Sequence, residues 1–466
     1  MNKAWTEGPH PTLEQVLECR EERAQRQKEW LKRGGTLVVL TLNMPGPCKR
    51  FPLGDWSTRQ GAKALRRQLS GWGFSLLEEK EYATPAGIEY FLRVEGQPRK
   101  VKEAALLLEE QEPLGRLWDA DVLYGTGEKI SRRELGREER QCLLCPRPAA
   151  ECGRSRAHGL DQVVEEVHRR MRQAMVWEIG AFCGACAQRA LLHEVCCTPK
   201  PGLVDGQNNG AHRDMDRFTF LDSAAVLGDY FAACAREGAL FQGSPEELLF
   251  RIRPLGLRAE EQMAQTTKGV NTHKGAIFSL GILCAGAGRL LAEGAAIDDL
   301  ALLSLAGQIA SPALNDLEKQ GEDTAGRRFY QRSGVLGVRG QAAQGFPQVR
   351  QWGLPQLKKA LSRGYSWNGA CAQALCALMA HTEDTNLLHR GGEEGLHLVQ
   401  QQAAALLEQC QDEQALEECL SRLDSLFTEK NLSPGGSADL LAVTLFVYFI
   451  VAERECFDIA DRKSVV

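Results

Sequence analysis

DQVVEEVHRRMRQAMVWEIGAFCGACAQRALL, residues 161–192, is the stretch at which the chain changes character. Its Ala, Leu, Glu and Gln texture predicts a long helix, and the same texture returns at 222–236, 276–293, 355–363, 396–407 and 438–454. The C-terminal half is therefore expected to be mainly α-helical. Glycine-rich polar stretches fall between these helices, at 198–214, 269–275, 316–345 and 382–392, where loops would carry chemistry on a helical scaffold. Toward the N-terminus the pattern differs. Residues 13–33 predict a helix ended by Gly34-Gly35, and TLVVLTL at 36–42 a short β-branched strand closed by the turn formers of 43–47. Further strands are predicted at 87–94 and 116–124, with a helix at 102–110 between them, so the first half reads as α+β. No Pro/Ser/Gly linker separates the halves. The boundary is placed near residue 175, giving domains 1–175 and 176–466.

A chain of 466 residues exceeds one ordinary core, which supports two domains. With 43% apolar and 25% charged residues it lies at the average for folded proteins and away from disordered or fibrous classes. Sixteen cysteines without an apolar N-terminal leader read as reduced thiols in a cytoplasmic protein. The apolar run at 440–452 is shorter than the roughly 20 residues a bilayer needs and reads as a buried helix, with no membrane association. Residues 1–175 carry 30 Lys plus Arg against 26 Asp plus Glu, and the remainder 26 against 35. Balances of +4 and −9 suit a phosphate-rich ligand or an acidic protein partner better than nucleic acid.

In GRLWDADV (115–122), Asp119 and Asp121 stand two residues apart, which on a strand puts both carboxylates on one face. Such a pair suits Mg²⁺ and nucleotidyl transfer, with Lys49 and Arg116 as phosphate ligands; the bland reading is two solvated aspartates on an edge strand. Cys142, Cys145, Cys152 and His158 have a C-x2-C-x6-C-x5-H spacing compatible with tetrahedral zinc. The short intervals after the first pair and the scattered reduced cysteines weigh against it, and nearby Arg154 and Arg156 are alternative phosphate ligands.

REERAQRQKEWL (20–31), TLVVLTLNMPGPCKR (36–50), PLGRLWDADV (113–122) and RQCLLCPRPAAECGRSRAH (140–158) together resemble the holo-acyl-carrier-protein synthase of citrate lyase. The resemblance implies a nucleotidyltransferase-like mixed sheet with helices. It also implies transfer of a phosphoribosyl-dephospho-CoA group to a serine of the lyase's acyl carrier (γ) subunit, with Asp119 and Asp121 as the catalytic metal pair.

The C-terminal loops are dense in donors and carboxylates, and without a P-loop or Rossmann fingerprint any triphosphate must be held by other means. Candidate phosphate ligands are Lys200, Asn209, His212, Asn271, His273, Lys274, Arg327, Arg328, Arg339 and Arg390; candidate metal ligands are Asp214, Asp316 and Asp384. Asp205 and Glu322 are the candidate catalytic carboxylates. For any single one, a solvated surface charge is the plainer reading.

TPKPGLVDGQNNGAHRDM (198–215), GVNTHKGAIFSLGIL (269–283), SPALNDLEKQGEDTAGRRFY (311–330), GVRGQAAQGFPQV (337–349) and EDTNLLHRGG (383–392) resemble triphosphoribosyl-dephospho-CoA synthase. That family joins ATP to 3′-dephospho-CoA with loss of adenine, through an oxocarbenium-like state. Gln341 stands where the family pattern has Glu. Two other readings keep related chemistry: service to malonate decarboxylase, or Mg²⁺-dependent hydrolysis of ADP-ribose-like N-glycosides. A non-enzymatic reading makes the Cys142–His158 region a zinc module that recruits an acyl carrier protein or nucleic acid.

Overall fold

Seven β-branched or apolar residues form strand β1 (Thr36–Leu42), the centre of a five-stranded sheet in the computed structural model, which describes residues 5–315, 334–410 and 412–457. Helix α1 (Leu13–Leu31) precedes it, opened by a capping box in which the Thr12 hydroxyl accepts from Gln15 N–H and the Gln15 side chain from Thr12 N–H. After β1 come α2 (Pro52–Gly71), β2 (Ser75–Thr84), β3 (Gly87–Glu95), α3 (Pro98–Gln111), β4 (Trp118–Tyr124) and β5 (Glu128–Lys129). The order across the sheet is β2-β3-β1-β4-β5.

The expected mixed sheet is corrected: every pairing is antiparallel. The cause is topological. The crossover β1-α2-β2 has β3 inserted between its strands, and the crossover β3-α3-β4 has β1 inserted, so strands running the same way are never neighbours. The two sheet faces are covered differently. Trp118 donates to Ser57 O of α2 at 3.1 Å, and Lys102 of α3 donates to Ala120 O at 2.7 Å. An added Cβ at Gly61 would meet the Trp118 ring at 2.8 Å, so glycine lets α2 lie close to the sheet. On the other face Trp30 and Leu31 of α1 bury Leu37, Val39, Phe91 and Leu123. At about 1.5–3 kcal/mol per large apolar side chain, this cluster anchors α1.

The chain divides into two compact units at Met175/Val176, within helix α5 (Leu160–Cys196); the second unit runs to Asp458. The second unit is helical: α6 (Arg217–Leu240), α7 (Pro245–Thr266), α8 (Lys274–Glu293), α9 (Asp299–Ala310), α10 (Gly337–Ala343), α11 (Leu354–Ser362), α12 (Trp367–His381), α13 (Thr385–Gln409), α14 (Glu413–Glu429) and α15 (Gly435–Glu453). Helix α8 is apolar on all sides and buried, the signature of a central helix. It lies so close to α6 that Cβ atoms added at Gly238 and Gly288 would stand 1.9 and 2.0 Å from Ala285 O and Ala235 O. The apolar run at 440–452 lies in α15, most of which is buried.

The expected loop at 382–392 is corrected. Only its first residues are loop, because Asp384 caps α13 at Thr385, and Gly392 (φ 63°) kinks the helix where the loop was expected to end.

Candidate functional site

In the first unit, strand alternation turns Asp119 and Asp121 to the face opposite Trp118, Ala120 and Val122. Two rows cross the sheet there, Glu89–Thr41–Asp119 and Phe91–Val39–Asp121. Burial, then the charge of Asp121, pushes the Asp119 carboxyl above its ordinary range. Arg140 lies 3.2 Å from Asp119 and 2.6 Å from buried Glu109, which Arg132 also reaches at 3.1 Å, while Lys129 pairs with Asp121 at 2.6 Å. Arg116 donates to Gln141 O beside these groups, joining a basic rim around an acidic pair. Lys49 donates to Met44 O at 2.6 Å, and burial lowers its amine below the usual lysine range.

The spacing argument against a cysteine cluster does not survive folding. A bridge between Gln141 and Pro148, followed by the short helix at Ala149–Ser155, returns Cys152 to the first pair. Sγ of Cys142, Cys145 and Cys152 and a ring nitrogen of His158 all lie within 4.8 Å of one another, the only such His/Cys/Asp/Glu group among the described residues. Arg154 and Arg156 leave this helix exposed.

In the second unit the 198–214 loop is organised by Asp205. Its carboxylate accepts N–H from Lys200 at 2.9 Å, Gln207 at 2.7 Å and Asn208 at 3.0 Å. Asp424 of α14 ties the same loop through Gly202 N–H and the Asn208 amide. Arg390 binds Ala211 O and Asn431, and approaches His212 Nδ1 at 3.4 Å, whose Nε2 lies 2.8 Å from Ser433 Oγ. Asn209 and Asp214 are exposed along this loop.

The buried centre is built by groups from several elements. Lys200 Nζ pairs with Glu194, at the end of α5, at 2.6 Å, both side chains buried. His273 precedes α8 and hydrogen-bonds through Nδ1 to Ser223 Oγ at 2.7 Å, while its buried Nε2 has no partner among the described residues. A Cβ at Gly275 would strike Asp439 Oδ2 at 2.0 Å, which brings the start of α8 against α15. Asp384 accepts from Asn386 and Leu387 N–H through Oδ1 and from Ser437 N–H and Oγ through Oδ2. With both oxygens so engaged it acts as a cap joining α13 to α15, not as an open metal ligand. Burial, then Glu194 and Asp384, pushes the Asp439 carboxyl well above its ordinary range. Asn271 accepts Lys274 N–H, and Lys274 pairs with Glu260 at 2.8 Å, so these two lie at the rim. Arg339 is half-buried in α10; Asp316, Glu322, Arg327 and Arg328 lie outside the described residues.

Sequence reasoning missed Glu194, Ser223, Asp424, Ser437 and Asp439 as site residues. For Asp439 a signal existed, a single carboxylate heading an otherwise apolar helix. Asp424 sits among helical surface acids, and Glu194 is a lone carboxylate near the end of a long helix; neither carried a signal.

His273 provides a pH test. Burial, then Lys200, lowers its imidazole to about 3, so the unfolded chain takes up a proton that the folded protein refuses. The associated stability is full above about pH 6.5 and declines as pH falls toward 3, by at most roughly 1.4 kcal/mol per unit. Asp384 and Asp439, both raised, oppose this trend in wild type and variant alike. The gap in urea unfolding free energy between wild type and His273→Gln is expected to shrink as pH drops from 7 to 5; a constant gap would count against a neutral buried imidazole.

A family model described as ATP:dephospho-CoA triphosphoribosyl transferase matches residues 181–456, and one described as apo-citrate lyase phosphoribosyl-dephospho-CoA transferase matches residues 11–174. A Haemophilus influenzae protein named CitXG is 37% identical over 95% of this chain and 97% of its own length. Its namesake from Leuconostoc mesenteroides subsp. cremoris is 33% identical over 95% and 98%. A 2-(5''-triphosphoribosyl)-3'-dephosphocoenzyme-A synthase of Pectobacterium atrosepticum is 44% identical over 57% of this chain and 87% of its own. With two relatives matched over 95% of this chain and both regions matched in one order, the chain belongs to the CitXG family, which joins these two transferase regions in a single polypeptide.

Proposed function

We propose that the C-terminal domain (residues 176–466), which contains the second unit, makes 2′-(5″-triphosphoribosyl)-3′-dephospho-CoA from ATP and 3′-dephospho-CoA with release of adenine. The first unit (domain 1–175), acting as a nucleotidyltransferase, then passes the phosphoribosyl-dephospho-CoA group to a serine of the citrate lyase acyl carrier (γ) subunit with release of pyrophosphate. The observation that carries the reading is the buried centre of the second unit, where the starts of α8, α13 and α15 meet around Glu194, Lys200, His273 and Asp439. Helix starts present N–H groups and favour polyanions. Lys200 adds a cation to hold the triphosphate, and a neutral His273 offers its unpartnered Nε2 for a hydrogen bond without carrying charge. Asp205 acts by positioning Lys200, whose backbone it holds.

The residues present fit Mg²⁺ in both units. Asp119 and Asp121 crowd like charges on one face, excess negative charge that a divalent cation relieves, and in the second unit the exposed Asp214 is the carboxylate left open, since Asp384 is engaged as a cap. Bound there, with Asp214 at the loop rim, Mg²⁺ would neutralise triphosphate oxygens. In the second unit the dephospho-CoA 2′-hydroxyl replaces adenine at the ribose anomeric carbon, its proton passing to a carboxylate or to adenine. In the first unit the serine oxygen attacks the α-phosphorus in line, its proton passing to a carboxylate or to solvent, and pyrophosphate leaves.

The test is incubation of the full chain with ATP, Mg²⁺, dephospho-CoA and apo acyl carrier subunit, followed by mass spectrometry of the carrier and chromatography of the bases. The expected result is adenine release that requires dephospho-CoA and a carrier mass gain of one prosthetic group. Adenine or ADP-ribose turnover without dephospho-CoA would replace the reading by N-glycoside hydrolysis. Faster modification of a malonate decarboxylase carrier would reassign the partner.

A further inference from the structure

Between residues 140 and 158 the chain has almost no core. Cys152 is its one buried residue, Leu144 is 38% exposed, and its regular structure is a single bridge and a seven-residue helix. So little apolar burial does not offset the entropy of ordering such a segment, a situation in which small folds rely on a covalent or metal staple. Yet the segment places Arg140 against Asp119 and Glu109 at 3.2 and 2.6 Å, and offers Gln141 O to Arg116 and Leu143 O to Arg170.

We propose that Cys142, Cys145, Cys152 and His158 bind one structural zinc ion that pins the 140–158 segment, and with it Arg140, beside the Asp119 carboxylate. The spacing of the ligand atoms suits a closed four-ligand site. With Zn–S near 2.3 Å and Zn–N near 2.0 Å, neighbouring ligand atoms of a tetrahedron stand about 3.5–3.8 Å apart. Here Cys145 Sγ lies 3.4 Å from Cys152 Sγ and 3.3 Å from His158 Nε2, and the full set falls within 4.8 Å. Three thiolates and one imidazole select zinc over Mg²⁺ or Ca²⁺, which prefer oxygen. The outer ring is in place as well: Leu144 N–H points at Cys142 Sγ at 3.5 Å, and the Arg147 N–H reaches Cys145. Binding releases three thiol protons to solvent, and the resulting site of net charge −1 is matched by the arginines around it.

The metal content is independent of the transfer reading. The full chain, purified with a thiol reductant and without chelator, is expected to carry one zinc ion. Replacement by Co²⁺ should give thiolate-to-cobalt charge-transfer absorption. Cys145→Ser and His158→Ala should each lower zinc occupancy by about tenfold or more, while Cys419→Ser in α14 retains it. Removal of zinc by a chelator that is then dialysed away, with Mg²⁺ restored, should open the 140–158 segment to protease and depress transfer to the carrier, with adenine release unchanged as the control for an intact fold. Absence of zinc from protein supplied with it would overturn the proposal, as would zinc that survives Cys145→Ser. A Cys145–Cys152 disulfide in its place, or a metal-free segment as protease-resistant as the loaded one, would do so equally.

Discussion

Asp119→Asn is expected to reduce transfer to the acyl carrier subunit by roughly a hundredfold or more while leaving dephospho-CoA-dependent adenine release untouched. The side chain keeps its shape and its contact with Arg140, so the sheet row Glu89–Thr41–Asp119 is preserved. Removing this charge also relieves the cost of its burial and its repulsion by Asp121, which together raise the Asp119 carboxyl, so stability should hold or rise slightly. What disappears is half of the negative charge available to a magnesium ion facing the triphosphate. Metal-assisted charge stabilisation is worth several kcal/mol, and each 1.36 kcal/mol is a factor of ten in rate. Carrier mass spectra and adenine chromatograms from the same reaction read both activities at once. Unchanged carrier modification would remove Asp119 from the transfer step, and loss of both activities would show that the units are not chemically separable.

Lys200→Met should destabilise the protein by about 3–5 kcal/mol, the range observed when one partner of a buried ion pair is removed. Lys200 and Glu194 are 2% and 6% exposed and 2.6 Å apart, so truncating the ammonium leaves a carboxylate with neither water nor a counter-charge. The double variant Glu194→Gln/Lys200→Met should recover most of the loss, because no unpaired charge remains, yet it should still fail to release adenine. Urea unfolding of the three proteins separates the two effects. A single variant within 1 kcal/mol of wild type would mean that Glu194 is protonated or solvated in the native protein, and a double variant with normal turnover would take the pair out of the site.

The elements legible in the sequence were those whose burial leaves a periodic trace. β1 was read as 36–42 because its first five residues are buried from both sides, making a continuous β-branched run. β2 left no such trace: it is an edge strand, mostly exposed, carrying Glu78, Glu79, Lys80 and Glu81 where an alternating apolar pattern would have marked it. The strand expected from 116 starts at Trp118, since Gly115–Leu117 forms a 3-10 turn. Among site residues, the Asp119/Asp121 pairing needed only the two-residue strand period. The cysteine cluster was discounted because interval lengths do not show that a turn at 141–148 and a short helix fold Cys152 onto Cys145.

Composition, period and motif order were sufficient for an α+β first part, a helical second part and the two transferase resemblances, since each depends on residues near one another in the chain. The antiparallel sheet, the capping of α13 by Asp384, and the meeting of Glu194, Lys200, His273 and Asp439 depend on segments separated by up to hundreds of residues. No local propensity encodes such meetings. They arise when close helix packing, set by glycines such as Gly238, Gly275 and Gly288, brings helix ends together and buries charges that in isolation resemble ordinary solvated surface groups.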